Sequence, residues 1–488
     1  MNYQTSIPQS SLQGSLFELV ARGRKDAYFA IDKDDSEHVF NAKYQPTTPF
    51  LQERRTTVPL NAPQFGNSFE IELDKYGDIL TECNLLIDLP TWLPPLPMIA
   101  GGTTLPPQEA NSTYWIKDVS GFSYGYCDFI GQFLFEKIQL YQDQAILQEW
   151  SGDLLFALGA TEGSWNSGYL ANQQLGGVAV NGNPIRTIAY RATPGKLRLS
   201  LPLPGLQTPG DGGFPLCCLP VQNYRFRIKL RKLEDLIVSD RLDAKPNPFL
   251  TTFEYTFPGG QVQRIQPVAR ESLGQPTIVL ETLQAYIDPD VRQSLQTMKQ
   301  SIPFRRPFEN VFTFGPADFA ALDVSSIAAS TRRLDACHPV ERLVVFFRTA
   351  NALDQNRYTD LVNPLSPDGQ FYNAMKLIIA GRDREFDFSS LVWQDIEAYA
   401  KDEIDSGYTI SEMRWNLGDM YSQVRPFSRV ANGTVNFTTA DRPTLYFQLN
   451  NVPVQTQSGQ RKVELRVFME GWNVYEVEQG RGRLLFAN

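Results

Sequence analysis

Hydrophobic and polar residues alternate with a period of two along much of the chain. The clearest runs are Phe69–Leu73, Leu197–Leu203, Tyr224–Arg231, Leu445–Leu449 and Val463–Val467. Because successive side chains of a β-strand point to opposite faces, each run predicts a strand with one buried face and one solvated face. Their repetition predicts antiparallel sheets that pack as sandwiches.

Helical patterns are few and short. Ser151 is a candidate cap for a helix over Asp153–Leu158, and a second helix is predicted over Leu391–Lys401. Strands and helices do not alternate as they do in a parallel nucleotide-binding sheet, and the chain has no P-loop or GxGxxG pattern. The fold class is therefore predicted to be all-β. Two stretches rich in Pro and Gly, Pro90–Pro107 and Gly205–Gly213, are predicted to be long exposed loops.

A polar segment near mid-chain, Arg241–Pro248, follows a strong strand and suggests a domain boundary. The predicted division is an N-terminal arm at 1–25, a first jelly roll at 26–245, a linker at 246–265 and a second jelly roll at 266–488. Each half is long enough for an eight-stranded jelly roll with long loops.

Composition and charge narrow the function classes. The 488 residues are 42% hydrophobic and 20% charged, as in ordinary globular proteins, and the net charge is −9. A protein that coats DNA directly needs a basic face, so we expect no direct nucleic-acid contact. The basic group Arg22, Arg24 and Lys25 is interpreted as a solvated surface. The chain has no candidate signal peptide or membrane-spanning run, which favours synthesis in the cytoplasm.

The cysteines fit neither a disulfide framework nor a zinc site, because their number is odd and their spacing is scattered. They are Cys83, Cys127, Cys217, Cys218 and Cys337. We expect reduced thiols, mostly within the core. Cys217 and Cys218 are adjacent and make poor disulfide partners for each other.

Catalytic patterns are weak. Gly121–Gly125 (GFSYG) fits the nucleophile-elbow motif, but a loop and a strand are predicted after it where the motif requires a helix. His38 and His338 are the only histidines, and a surface or capping role is predicted for His338. The acidic runs Asp32–Asp35 and Asp402–Asp405 lack the pattern of a calcium loop and are interpreted as solvated loops. We therefore predict a non-enzymatic protein with no catalytic, cofactor-binding or metal-binding residues and no cofactor.

Three triplets have the form of N-glycosylation sequons. They begin at Asn111, Asn432 and Asn436. Asn111 lies in the region of the first long loop and is the candidate glycosylation site, whereas the other two are expected to serve turns.

The chain also carries a series of short segments in a fixed order. In the first half they are Leu16–Gly23 with Asp26 and Tyr28, Phe40–Phe50, Phe65–Gly66, Gly77–Leu80, Leu89–Pro90, Gly131–Leu140, Gly152–Asp153, and Arg227–Leu230 with Asp235–Ile237. In the second half they are Tyr286–Asp288 with Asp290 and Arg292, His338–Val344, Gly381–Arg384, Gly433–Phe437 with Asp441, Thr444 and Leu445, and Trp472–Val474 with Gly480 and Leu484–Asn488. Over nearly the whole chain this series resembles the major capsid proteins of nucleocytoplasmic large DNA viruses.

That resemblance implies two tandem antiparallel jelly rolls. It also implies a hexon-like homotrimer whose pseudo-hexagonal outline tiles the icosahedral shell of a large double-stranded DNA virus. The expected partners are further copies of the chain, neighbouring capsomers, minor capsid and penton proteins and, indirectly, an internal membrane. The expected location is the virion shell, after assembly in the host cytoplasm.

Other functions remain open at this stage because a jelly roll does not by itself specify a function. The alternatives are a glycan-binding jelly-roll surface protein, a minor capsid component and a carbohydrate-active enzyme. The enzyme would need two carboxylates that face each other across a cleft.

Overall fold

The structure of the protein, a computed structural model, describes residues 50–90, 117–122, 124–162, 196–207, 212–256, 262–265, 274–319, 328–384, 386–397, 408–415 and 433–486. These residues are mainly β-strand, and every strand pairing among them is antiparallel. The all-β fold class predicted from the period-two pattern is confirmed.

The strands are β1 (Phe50–Thr57), β2 (Ser68–Glu72), β3 (Ile79–Asp88), β4 (Lys117–Asp118), β5 (Tyr124–Tyr126), β6 (Phe135–Gln142), β7 (Ala145–Trp150), β8 (Lys196–Ser200), β9 (Tyr224–Leu230), β10 (Ile237–Ser239), β11 (Phe253–Thr256), β12 (Val262–Ile265), β13 (Thr277–Ile287), β14 (Gln300–Phe314), β15 (Ala328–Arg333), β16 (Pro339–Thr349), β17 (Tyr372–Ile379), β18 (Arg382–Asp383), β19 (Phe388–Ser389), β20 (Ile410–Arg414), β21 (Val435–Asn436), β22 (Thr444–Leu449), β23 (Val463–Glu478) and β24 (Arg481–Leu484).

The α-helices are α1 (Ile130–Phe133), α2 (Gly152–Glu162), α3 (Pro289–Thr297) and α4 (Ala350–Asp354). Short 3-10 turns lie at Leu216–Cys218, Leu233–Asp235 and Pro316–Asp318, and a π-helical turn lies at Val392–Ile396. Helix α2 confirms the helix predicted after Ser151, whose Oγ accepts a hydrogen bond from the Leu154 amide at 3.1 Å. The second predicted helix is present over its first turns, and its remaining residues lie outside the described ranges.

Two four-stranded sheets form what we term the first sandwich. Their strand orders are β1-β13-β3-β8 and β2-β9-β6-β7. On β9, Tyr224, Phe226, Ile228 and Leu230 are buried, and the charged residues between them are more exposed, as the alternation predicts. Buried residues of both sheets belong to one hydrophobic core.

The second sandwich is built in the same way from two larger sheets. One has the order β14-β23-β16-β20, with β21 and β24 attached, and the other has the order β15-β22-β17-β18, with β19 attached. The main paths of these two sheets contain eight strands, as do the two sheets of the first sandwich. Leu343, Val345 and Phe347 of β16 share a core with residues of β22 and β23.

Strand β16 is buried on both faces. Leu343, Val345 and Phe347 enter the core of the second sandwich, whereas Val344 and Phe346 belong to the core that contains the first sandwich. Strand β23 repeats this division, because Leu465 and Val467 lie in one core and Phe468 in the other. A strand covered on both sides needs a continuous apolar run, which explains the sequence Leu343–Phe347.

Strand β13 joins two strands from earlier in the chain. It pairs with β1 from Phe50↔Ile287 to Thr57↔Leu280, and with β3 from Thr277↔Asp88 to Ala285↔Ile79. The predicted division at 246–265 would place β13 in the second jelly roll, apart from these sheet partners. The domain boundaries stay a prediction, as does the arm at 1–25, which lies outside the described residues.

Candidate functional site

Helix α2 lies in the contact between the two sandwiches, and its residues Gly152–Thr161 are buried. The Phe156 ring packs edge-on against Phe346 of β16 (centroids 6.5 Å apart) and lies 5.2 Å from the ring of Phe133. The helix can start here only with glycine at position 152. A Cβ on Gly152 would lie 2.4 Å from the Gln132 carbonyl oxygen and 2.6 Å from that of Phe135.

A charged cluster surrounds the first turn of α2. We term it the Asp153 cluster; its members are Asp153, Arg231, Glu309, Arg348, Glu464 and Arg466. Asp153 Oδ2 lies 2.9 Å from Arg231 Nη2 and 3.1 Å from Arg466 Nη1, and Asp153 Oδ1 forms an ion pair with Arg348. Asp153 and Arg348 are each 1% exposed. One carboxylate from the first sandwich thus meets two guanidinium groups from the second.

The electrostatics of this cluster favour a charged Asp153. Burial by itself raises the pKa of Asp153, but the guanidinium groups of Arg348, Arg466 and Arg231 more than offset it. The pKa of Asp153 is therefore held well below its usual range. Glu309 and Glu464 lie 2.6 and 2.7 Å from Arg466 nitrogens, so the cluster contains three acidic and three basic groups.

A second charged cluster lies at the other end of α2. We term it the Arg342 cluster; its members are Arg305, Glu341, Arg342, Glu412, Arg414 and Glu470. Arg342 pairs with Glu470, its cross-strand neighbour on β23, and its Nη1 donates to Thr161 Oγ1 of α2 at 3.2 Å. Arg342 is fully buried. Helix α2 therefore connects the two charged clusters.

The loop after α4 forms a third contact between the sandwiches. Asn356 Nδ2 donates to the carbonyl oxygens of Glu234 (2.8 Å) and Ile237 (2.7 Å). The Tyr358 hydroxyl donates to the Asp235 carbonyl oxygen at 2.9 Å, and the Tyr358 ring stacks on Phe133 at 5.0 Å. Asn356 has a φ of 58°, a left-handed conformation that asparagine tolerates better than most residues.

Side chains also bridge the strand edges where the sandwiches meet. Gln207 donates to the Arg305 carbonyl oxygen (2.6 Å) and accepts from the Arg305 amide (2.7 Å), which reproduces the bonding of a neighbouring strand. The buried hydroxyls of Tyr224 and Tyr475 lie 2.6 Å apart. These contacts connect the sandwiches along much of their shared border.

The sequence-predicted candidates for chemistry are not brought together. Asn111 and the acidic runs lie outside the described residues, as does Ser123 of the elbow motif. Asp118 accepts hydrogen bonds from the Ser120 and Phe122 amides, so this stretch is a turn between β4 and β5. Of the surface or capping role predicted for His338, the surface alternative is wrong, because its side chain is buried between the rings of Phe308 and Phe486.

Within the described ranges, no group of three or more His, Cys, Asp or Glu side chains is placed to hold a metal ion. No described helix is both long and apolar enough to cross a membrane. On the outer face of the first sandwich, Lys229 lies 2.6 Å from Glu136 and Lys137 lies 2.7 Å from Glu149, so these charges neutralise one another.

Sequence reasoning missed the residues of both clusters except Asp153, and it missed Asn356. One feature of the sequence could have indicated the buried charges. Arg342 and Arg348 bracket the apolar run Leu343–Phe347, and a charged residue at each end of a doubly buried strand needs a buried partner. Which partner each arginine has could not be read from the sequence.

The folded chain is similar to solved capsid structures over most of its length. The PBCV-1 protein VP54, fitted into a reconstruction of the virophage Sputnik, has 15% identity and a TM-score of 0.66, and the match covers 92% of this chain and 100% of that one. A quasi-atomic model of the PBCV-1 virus capsid has 15% identity and a TM-score of 0.65 over the same shares. The Faustovirus major capsid protein has 12% identity and a TM-score of 0.57, covering 90% of this chain and 92% of that one.

No protein-family model matches the chain, and no curated protein matches it in sequence. At such low identity the likeness shows the fold. The chain has the all-β double jelly-roll fold of these capsid proteins, and the fold expected from the sequence segments is confirmed.

Proposed function

We propose that the protein is a major capsid protein whose copies form a homotrimeric, pseudo-hexagonal capsomer in the icosahedral shell of a large double-stranded DNA virus. The observation that carries the proposal is the match to the whole of VP54 with both sandwiches included. A single jelly roll, as in a minor component, would account for half of this chain.

The contact between the sandwiches supports the same function. Three chains around a threefold axis give six wedges only if the two wedges of each chain keep a fixed angle. The Asp153 and Arg342 clusters provide directional contacts at that boundary. On this proposal the partners are further copies, neighbouring capsomers, and minor capsid and penton proteins, with an internal membrane contacted only indirectly. The chain is a structural protein, synthesised and assembled in the host cytoplasm and carried in the virion.

The first test is the mass of the purified protein by light scattering. A single species of three times 55.2 kDa, with hexagonal outlines in negative stain, is the expected result. A stable monomer, under conditions where co-expressed viral assembly factors also fail to yield trimers, would contradict the capsomer. Glycan-array binding by such a monomer would favour the glycan-binding alternative. The candidate glycosylation of Asn111 is tested separately by intact mass of virion-derived protein, before and after deglycosylation.

A further inference from the structure

Two adjacent thiols lie beneath helix α3, which lies between β13 of the first sandwich and β14 of the second in the chain. Cys217 and Cys218 end the 3-10 turn Leu216–Cys218, and both are buried. Their Sγ atoms are 3.7 Å apart. They contact the end of α3 and the residues after it, in the segment that leads from β13 of the first sandwich to β14 of the second.

The two thiols have different surroundings. Cys218 Sγ accepts a hydrogen bond from Gln300 Nε2 at 3.2 Å, and it lies within hydrogen-bonding distance of the Cys217 thiol. The hydrogen bond with Cys217, together with the one from Gln300, outweighs burial and lowers the pKa of Cys218 to about 7. The same hydrogen bond and burial raise the pKa of Cys217. Cys218 is therefore the more ionised and more reactive thiol at pH 7, and Cys217 keeps its proton beside it.

Helix α3 covers this pair and has little contact with the core, which its partly buried Leu295 packs against. None of its residues is buried. Gln296 Nε2 donates to the Cys217 carbonyl oxygen at 3.0 Å, and the Leu295 carbonyl oxygen lies 3.4 Å from Cys218 Sγ. A helix with so little buried surface opens locally at low free-energy cost, which admits a small oxidant to the thiols.

We propose that Cys217 and Cys218 form a reversible oxidation site that a peroxide converts into a vicinal disulfide. The Cys218 thiolate attacks one peroxide oxygen; the O–O bond breaks, and the leaving hydroxide takes up a proton to form water. Cys218 is then a sulfenic acid. The Cys217 sulfur attacks Cys218 Sγ, the S–O bond breaks, and the Cys217 proton leaves with the hydroxide as a second water. Two thiols and one hydrogen peroxide thus give one disulfide and two waters.

The adjacency that makes these cysteines poor partners for a structural disulfide makes them suited to a reversible one. Neighbouring Cα atoms across a trans peptide are about 3.8 Å apart, below the usual lower limit of about 4.4 Å for disulfides. The eight-membered ring is therefore strained and more easily reduced. Closing it removes the thiol proton that Cys218 offers to Leu295 and alters the turn beneath α3, so α3 becomes more exposed to solvent.

The stage at which the protein would meet an oxidant rests on the proposed function. A coat protein made in the reducing cytosol enters an oxidising exterior when the virion is released. The chemistry itself does not depend on the capsid role, and it can be measured on a trimer or on a monomer.

The test treats the full-length protein with limiting hydrogen peroxide at pH 7, blocks the remaining thiols with N-ethylmaleimide, and analyses peptides by mass spectrometry. The expected product is the Cys217–Cys218 peptide lighter by two hydrogens and restored by a thiol reductant. Hydrogen exchange should increase in α3 on oxidation. An unchanged peptide when other thiols have reacted, or a disulfide between chains, would overturn the proposal.

The half-buried Cys337 serves as the comparison thiol. It is more accessible to solvent than Cys218, but burial raises its pKa. Its thiolate fraction at pH 7 is smaller, and after allowance for intrinsic nucleophilicity Cys218 should react about fivefold faster. Faster oxidation of Cys337 would contradict the assignment. Cys217→Ser should stop at a Cys218 sulfenic acid trapped by dimedone, whereas Cys218→Ser should leave Cys217 reduced. Oxidation of Cys217 in Cys218→Ser would refute the assigned order.

Discussion

Substitution of Asp153 by asparagine tests whether the charged contact between the sandwiches stabilises the fold. Asparagine keeps the size of the side chain but removes the carboxylate through which Asp153 pairs with Arg231, Arg348 and Arg466. Among the residues that the structure describes, Arg348, 1% exposed, would then keep the Glu464 carboxylate, 3.8 Å away, as its remaining ion-pair partner. Removing one partner of a buried ion pair costs about 3–5 kcal/mol, because the other charge stays buried without compensation. We expect a loss of that size in the free energy of unfolding of Asp153→Asn.

The assay is urea denaturation followed by tryptophan fluorescence, with an exposed ion pair as the matched control. Glu136 lies 2.6 Å from Lys229, and both side chains are 47% exposed. Exposed pairs contribute about 0–1 kcal/mol, so Glu136→Gln should unfold at nearly the same urea concentration as the unsubstituted protein. If the urea midpoint of Asp153→Asn shifts no further than that of Glu136→Gln, the Asp153 cluster does not stabilise the contact and the reasoning is refuted.

The pH dependence of the same variant gives an independent test. The pKa of Asp153 is lower in the folded protein than in the unfolded chain, where an aspartate has a pKa of about 3.9. Its contribution is therefore complete above about pH 5 and is lost progressively as the pH falls through the unfolded value towards the folded one. The difference between the two proteins should be constant from pH 6 to 8 and should shrink at lower pH. A difference that shrinks towards high pH would contradict the assigned sign.

Three further predictions concern other parts of the contact. Asn356→Gly keeps the left-handed backbone but leaves two carbonyl oxygens without their donor, so it should cost about 2–4 kcal/mol in urea denaturation; a cost below 1 kcal/mol would contradict it. Gly152→Ala should abolish soluble expression because of the 2.4 Å approach to the Gln132 carbonyl, whereas Gly212→Ala, with no atom within 4 Å, should express normally. Burial, opposed by Arg357, raises the pKa of Asp128 to about 6, so its ionisation opposes folding by an amount that grows from about pH 4, its pKa in the unfolded chain, to about pH 6 and is constant above that. Asp128→Asn should match the parent protein below pH 4 and be about 3 kcal/mol more stable at pH 7.5; a variant whose stability equals that of the parent at both pH values would refute this.

Alternation along the chain predicted the individual strands well, because it reports which face of each strand is buried. The Tyr224–Leu230 strand is an example, with its apolar side chains inside. Alternation says nothing about which strands pair. Thr277–Ile287 forms a strand whose partners β1 and β3 lie far earlier in the chain. Pairing depends on backbone hydrogen bonds, which carry little side-chain information.

The contact between the sandwiches was less predictable for a related reason. Asp153 could be placed at the start of a helix because Ser151 is a local capping signal. Two of its three arginine partners, Arg348 and Arg466, come from β16 and β23, and an arginine in a strand usually faces solvent. Asn356 gave no signal either, because asparagine is common in loops and its two acceptors are backbone carbonyls.

The chemistry of this contact bears on how one chain could supply two wedges of a capsomer. An apolar contact such as that of Phe156 with Phe346 is non-directional and allows one sandwich to rotate on the other at modest cost. Ion pairs and hydrogen bonds are lost when their geometry changes, and here they lie at both ends of α2, at Asp153 and at Arg342. Contacts at two separated points restrain rotation far better than contacts at one. The apolar centre of the boundary therefore stabilises the association of the sandwiches, and the two charged clusters specify their angle, which is the property that a tiling capsomer requires.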